Sequence, residues 1–241
     1  MIEIAGTTYY FSELGRWVYG VVYVPALLLA VALLYWIVIR RLTKPWKGWV
    51  LALLLGAGLS WPFWDVYQIG REVTRLCQAE GGLHIYRTAE TDGFLGAADI
   101  TYWSKFGFSY VEQSYSYGSE VIRYTLQNGM PIHEKVAGIK SRYELLSTKY
   151  IENSYVERHI DLVRDRATGE VLGELKFFRV APGKFDNFVY GVTGLTFTPW
   201  FCGNRDPSRQ GKSFPRSHVA LMTLKSLQKQ GDQDADIEGD L

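Results

Sequence analysis

The chain has few of the features that announce a chemistry. Its 241 residues include two cysteines, Cys77 and Cys202, and neither belongs to a Cys-X-X-Cys redox pair. There is no Gly-X-Ser-X-Gly elbow. Gly211-Lys212-Ser213 imitates the end of a phosphate-binding loop, but the glycine needed five residues earlier is Asp206. His133-Glu134 opens a zinc-protease pattern, yet Ala137 stands where the second histidine would be. No cofactor is expected from these motifs. The balance of 26 Lys+Arg against 25 Asp+Glu argues against a nucleic-acid binder that works on phosphate electrostatics. Asn-X-Ser/Thr is absent, which favours a bacterial periplasm over a glycosylating lumen.

Charge is missing most conspicuously near the N-terminus. Between Arg16 and Arg40 lie 23 uncharged residues, and between Lys47 and Asp65 another 17. At about 1.5 Å rise per residue, the first run crosses a hydrocarbon layer of about 30 Å and the second is at the short end of the spanning range. Trp17, Tyr19 and Tyr23 open the first run, and Tyr35 and Trp36 close it; Trp46 and Trp49 open the second, and Trp61, Phe63 and Trp64 close it. Amphipathic rings favour the two headgroup levels. A cleavable signal peptide fits poorly, since the start is acidic and the apolar stretch too long.

The connector 40–47 carries Arg40, Arg41, Lys44 and Lys47 and no acid, whereas residues 1–16 carry Glu3 and Glu13 against Arg16. The positive-inside rule puts the connector in the cytoplasm and both termini outside. Ala52, Gly56 and Ser60 form a small-residue stripe on the second helix, and Ala26 and Ala30 one on the first; these faces are expected to meet in the hairpin. Neither run contains an acidic, basic or histidine residue, so neither a proton relay nor an ion pathway has a candidate.

The expected organisation is therefore a short extracytoplasmic N-terminus (1–16), two transmembrane helices (17–64), an extracytoplasmic β-rich domain opening with a helix (65–227) and an acidic disordered tail (228–241). Val66, Ile69, Val73 and Leu76 recur at helical spacing before Gly81-Gly82, and Pro62 marks a bend at the junction. Period-two patterns predict strands near 83–88, 108–112, 121–126, 142–146, 155–164, 170–180 and 188–197, with turns at Asn128-Gly129 and 165–169. The fold class is a membrane-anchored α+β protein, a two-helix transmembrane hairpin with a mostly antiparallel β periplasmic domain. Residues 203–216 read as an irregular basic loop, and the acidic tail lacks the apolar area to offset chain entropy.

In an oxidising compartment Cys77 and Cys202 are a natural disulfide, closing a loop of about 125 residues worth up to ~4–5 kcal/mol in the loop-entropy account. Glu157, His159 and Asp161 alternate along a predicted strand and share a face, the candidate for acid–base or metal chemistry, opposite an apolar side of Val156, Ile160 and Leu162. The aromatic-rich stretch Tyr102, Trp103, Phe106, Phe108, Tyr110, Tyr115 and Tyr117 could stack on glycan if its rings are exposed. The expected partners are the lipid bilayer and an envelope protein or a second copy. The expected role is an envelope accessory, exclusion or immunity-type component acting by contact. A membrane-tethered hydrolase and a glycan-binding anchor are the alternatives.

Overall fold

In the computed structural model, residues 2–4, 7–37, 39–41, 44–115, 120–203 and 217–227 are described. The basic loop from Asn204 to Arg216, Tyr117 and the acidic tail lie outside the described residues. The chain divides into two compact units: Met1–Ala79 with Ile151–Glu157 and Phe178–Cys202, and Glu80–Tyr150 with Arg158–Phe177 and Gly203–Leu241.

The first unit begins with a small hairpin of β1 (Ile2–Ile4) and β2 (Thr7–Tyr9), then α1 (Glu13–Val18), for which Ser12 is the N-cap, its hydroxyl accepting from Gly15 N–H. A π-helical turn over Tyr19–Tyr23 leads into α2 (Val24–Ile37), and α3 (Lys44–Ser60) returns. A 3₁₀ turn at Trp61–Phe63, holding Pro62, joins α3 to α4 (Trp64–Glu80). Glu13–Arg41 and Trp46–Glu80 are two helices long and apolar enough to cross a membrane. Their large apolar side chains, Val21, Leu28, Leu29, Leu33 and Leu53 among them, point outward, the reverse of a soluble core helix.

α4 is different in kind. Val66, Ile69, Val73 and Leu76 are buried along one stripe, as the spacing predicts, and Gly70 lets the backbone of Thr8 come close. That stripe packs with Tyr10, Val156, Phe178 and Val180. The Cys77–Cys202 disulfide joins α4 to β12 (Trp200–Cys202), with the Cα atoms 6.1 Å apart, inside the usual range for such a bond. β12 runs antiparallel to the end of β11 (Val171–Val180), pairing Phe178 with Cys202 and Val180 with Trp200.

In place of the predicted strand over 188–197, the first unit has α6 (Lys184–Thr193). Phe185 and Val189, four apart, are buried together, and Gly194 (φ 68°) ends the helix in the left-handed conformation. The apolar residues Phe188 and Val192 are also four apart, a helical spacing that alternation concealed.

The second unit is built on β3 (Gly82–Ile85), β4 (Ala89–Thr91), β5 (Gly93–Leu95), β6 (Tyr110–Tyr115), β7 (Glu120–Gln127), β8 (Met130–Val136), β9 (Tyr143–Ile151) as far as Tyr150 and β10 (Val156–Asp165) from Arg158 on, together with the first part of β11. The helices are α5 (Ile100–Trp103) and α7 (Ser217–Thr223), followed by β13 (Leu224–Ser226). The strand order is β11-β10-β9-β5-β6-β7-β8, with β3 antiparallel to β11, and β13 pairs β4 in parallel. The sheet is mixed: β3·β11, β6·β7, β7·β8 and β11·β12 are antiparallel, in keeping with the mostly antiparallel expectation, but β5 is parallel to both β6 and β9. The chain leaves β5 through α5, a helical crossover that makes a parallel return feasible. All three β5 residues are buried, so they show no alternation to read. The core gathers Phe94, Ile100, Trp103, Phe108, Val111, Val163, Leu172, Leu175 and Val219. Asn128 (φ 51°) and Gly129 (φ 77°) make the tight β7–β8 turn that the sequence signals.

Candidate functional site

The alternating acid–histidine–acid trio does not form a site. Glu157, in the first unit, pairs with Arg179 at 3.0 Å along an open groove of ≈ 370 Å³ that also involves Asn153, Tyr155 and Phe197. His159, in the second unit, lies flat on Phe177, with ring centroids 5.0 Å apart and planes at 9°. Asp161 is buried and accepts a 2.6 Å hydrogen bond from Ser147 Oγ. The trio's face leads to Val163, which is wholly buried, so from Asp161 onward it is a core face instead of the wet face opposite Ile160 and Leu162. Among the described residues no group of three His, Cys, Asp or Glu could hold a metal.

The aromatic stretch is likewise internal. Trp103 and Tyr110 are buried, and Trp103, Phe94 and Phe108 meet edge-to-face at 4.7–5.8 Å. Burial of Trp103 and Tyr110 removes the contiguous platform that glycan stacking needs.

The second unit's most elaborate polar cluster lies under its edge hairpin. Glu112 on β6 has no exposed surface. It accepts from Arg123 Nε and Nη2 at 3.0 and 2.8 Å and from the backbone N–H groups of Lys140 and Ser141 at 3.2 and 2.9 Å. Burial pushes its carboxyl up, but the hydrogen bonds from Ser141, Arg123 and Lys140 outweigh that and leave it below its ordinary value. Arg123 stands opposite Glu112 on one side and Glu134 of β8 on the other, with the Glu134 contact at 3.6 Å. The Arg123 guanidinium and the Lys140 ammonium both lie over the Tyr110 ring. This ladder clamps β7 and β8 to the sheet. β8 itself is exposed along nearly its whole length, with Met130 and Ile132 the large apolar residues on it, and among the described residues it ends the strand order. The signal that could have revealed the cluster is a lone acid, Glu112, inside the apolar strand Tyr110-Val111-Glu112, with Arg123 at the mirror position of the next strand.

A second network anchors the start of the first apolar helix. Asp186 of α6 accepts from Ser12 N–H at 2.8 Å and from Ser12 Oγ at 2.6 Å, and a Cβ on Gly15 would fall 1.8 Å from its Oδ1. Burial above all pushes the Asp186 carboxyl up; the two Ser12 hydrogen bonds oppose this and the nearby Asp65 charge adds to it. Asp65 accepts from the first N–H of α6, at Lys184, and so caps that helix from α4. Around these acids Phe11, Val66, Phe185 and Val189 form a small core joined by Tyr19 and Tyr23. Ser12 followed by Glu13 is a helix-start pattern, but nothing local pairs it with Asp186 across 174 positions.

The small-residue stripes are not where the apolar helices touch. Ala26, Ala30, Ala52, Gly56 and Ser60 are exposed, and a Cβ on Gly56 would meet nothing within 4 Å. Contact runs through Gly58 against Leu27, where a Cβ would lie 2.8 Å from the leucine. Tyr23 and Tyr19 also donate to the carbonyls of Gly58 and Leu59 at 2.8 and 3.0 Å. The reason is local: Pro62 has no N–H for the carbonyl four residues back, so Gly58 takes its donor from the other helix. Of the connector cations, Arg40 and Arg41 are exposed, Arg40 lying over the Trp36 ring at 4.6 Å, and Lys47 is half-buried; the Lys44 side chain lies outside the described residues.

No protein-family model, curated protein or solved structure matches this chain.

Proposed function

We propose that this is a bacterial inner-membrane protein that acts by contact. The uncharged parts of the two apolar helices span the bilayer, the cations at 40–47 face the cytoplasm, and both ends of the chain lie in the periplasm. Three observations support this reading. The apolar helices turn their large side chains outward. The N-terminal segment packs with α4 and α6 through Thr74 and Asp186, as it must if two spans return the chain to its starting side. The disulfide fits an oxidising compartment.

The observation that carries the contact role is β8, an open strand held rigid from beneath by Glu112 and Arg123. Such an edge can accept a strand from another protein, with Met130 and Ile132 supplying apolar contact and Lys135 limiting indiscriminate pairing. The partner is an envelope protein, and the role is that of an accessory, exclusion or immunity-type component. The hydrolase alternative loses support because His159 is stacked on Phe177 and Asp161 is bonded to Ser147.

The test combines topology and contact. In spheroplasts, an impermeant maleimide should label Asn128→Cys and leave Thr43→Cys untouched until the membrane is opened. In whole cells, a photo-crosslinking residue at Ile132 should give a discrete adduct, and one at Glu170 none. An adduct of twice the protomer mass would identify a second copy as the partner. Export without any adduct from β8 would end the contact reading at this edge.

A further inference from the structure

α6 buries Phe185, Asp186 and Val189 and leaves Phe188 and Val192 67% and 71% exposed, and Leu195, just past the Gly194 that ends the helix, is 57% exposed. The rest of that outer face is Lys184, Asn187 and Gly191, without an acid. An apolar face that the described residues leave open would be a liability on a soluble surface. Its surroundings are not those of a soluble surface. Phe185 lies 5.6 Å from the Tyr23 ring and 6.2 Å from the Tyr19 ring, and Lys184 shares a cleft with Trp61, Pro62 and Trp64. Tyr23 is the seventh residue of the first uncharged run, about 9 Å along the axis from Trp17. α6 is therefore fixed at the level of the aromatic residues that open the first span and close the second. Trp61 and Trp64, both exposed, line the cleft with Lys184, and Trp17, also exposed, opens the first span.

We propose that α6 lies in the headgroup region of the periplasmic leaflet, with Phe188, Val192 and Leu195 inserted among the upper acyl chains. The occupant of this face is lipid. It is continuous with the lipid-facing surface of the two spans, and it offers rings and aliphatic groups but almost no hydrogen bonding. Its lone cation, Lys184, can extend its ammonium to phosphate. Interfacial amphipathic helices sit about 5–10 Å into this boundary, the depth at which the Tyr19 and Tyr23 contacts hold α6. Because the helix is tethered through Asp65 and Asp186, it needs no membrane affinity of its own. Its insertion instead fixes the height of the first unit over the bilayer. The inference rests on the membrane reading above.

The full-length protein in phosphatidylcholine–phosphatidylglycerol vesicles provides the test. With Cys77 and Cys202 bonded, a single introduced cysteine takes an environment-sensitive fluorophore at Phe188→Cys, Leu29→Cys or Asn128→Cys. The Phe188 label is expected to lose most of its emission to lipid doxyl-labelled at carbon 5, less to lipid labelled at carbon 12, and little to aqueous iodide. The Leu29 label should respond most to carbon 12 and the Asn128 label to iodide alone. Iodide quenching at Phe188 equal to that at Asn128 would overturn the proposal. So would shielding of Phe188 from both quenchers while Leu29 reports lipid, which would mean a protein, a second copy included, covers α6. A Leu29 label untouched by either lipid would remove the membrane reading and this inference with it.

Discussion

Glu112 and Asp186 are both buried acids, and they are displaced in opposite directions. Glu112 is held below its ordinary value because its hydrogen bonds outweigh burial, so the native state favours the ionised form. Its contribution to stability is complete above the ordinary carboxylate range, about pH 4.3, and is lost as pH falls through the lowered native value. Asp186 is raised, chiefly by burial, so the native state binds its proton more tightly than the unfolded chain does. Its ionisation costs stability as pH rises from the ordinary range through the raised native value. Denaturation in detergent between about pH 3 and about pH 8 should separate the two. Glu112→Gln should lie about 3 kcal/mol below the parent at neutral pH, the low end for a broken buried pair because Arg123 keeps Glu134 nearby, and should converge with it in acid. Asp186→Asn should gain on the parent as pH rises through the window above the carboxylate range. Parallel curves for all three proteins would contradict both assignments.

At the scale of elements, the kink between α3 and α4 is answered by the first helix. If the two helices span the bilayer as proposed, Tyr23→Phe leaves the Gly58 carbonyl without its donor in a low-dielectric setting, at a cost of about 0.5–1.5 kcal/mol. Tyr35→Phe, on the exposed side of α2, should cost nothing measurable; unfolding in mixed micelles compares them. Much at this scale is legible in the sequence. The apolar runs, the α4 stripe, the Asn128-Gly129 turn and the long strands follow from one-dimensional periodicity, because each packs a single regular face. What escapes is whatever depends on two distant segments at once. β5 is three residues long, buried on both faces, and parallel only because α5 carries the chain across. α6 carries Phe185, Phe188, Val189 and Val192 at helical spacing, but the run Phe188-Val189-Tyr190 is made of residues that favour strands, so the period is masked. The helix contact goes to Gly58 and the tyrosines instead of the alanine stripes because of a proline four residues further on. The Glu112 and Asp186 networks follow the same rule, since their partners are set by strand register and by packing between segments 174 positions apart.

For the whole molecule, the disulfide's worth depends on which parts unfold together. If the entire chain unfolds at once, Cys77–Cys202 closes a separation of 125 residues and the loop-entropy account gives about 5 kcal/mol. The division into two units alters that figure. The residues between the cysteines belong mostly to the second unit, and there Gly203 lies against Gly81, a Cβ on Gly203 falling 3.0 Å from the Gly81 Cα. While the second unit stays folded, its own packing already brings the two cysteines' neighbours together. The bond then closes a loop of roughly seven residues, worth about 2–3 kcal/mol. Local opening of the first unit should therefore feel only the smaller term. In the Cys77→Ser/Cys202→Ser variant, hydrogen exchange should show the opening free energy of α4 amides reduced by about 2–3 kcal/mol, with β6 and β7 amides retaining their protection. A loss near 5 kcal/mol shared equally by α4 and β6 would mean that the two units unfold as one, and that the disulfide stabilises them jointly.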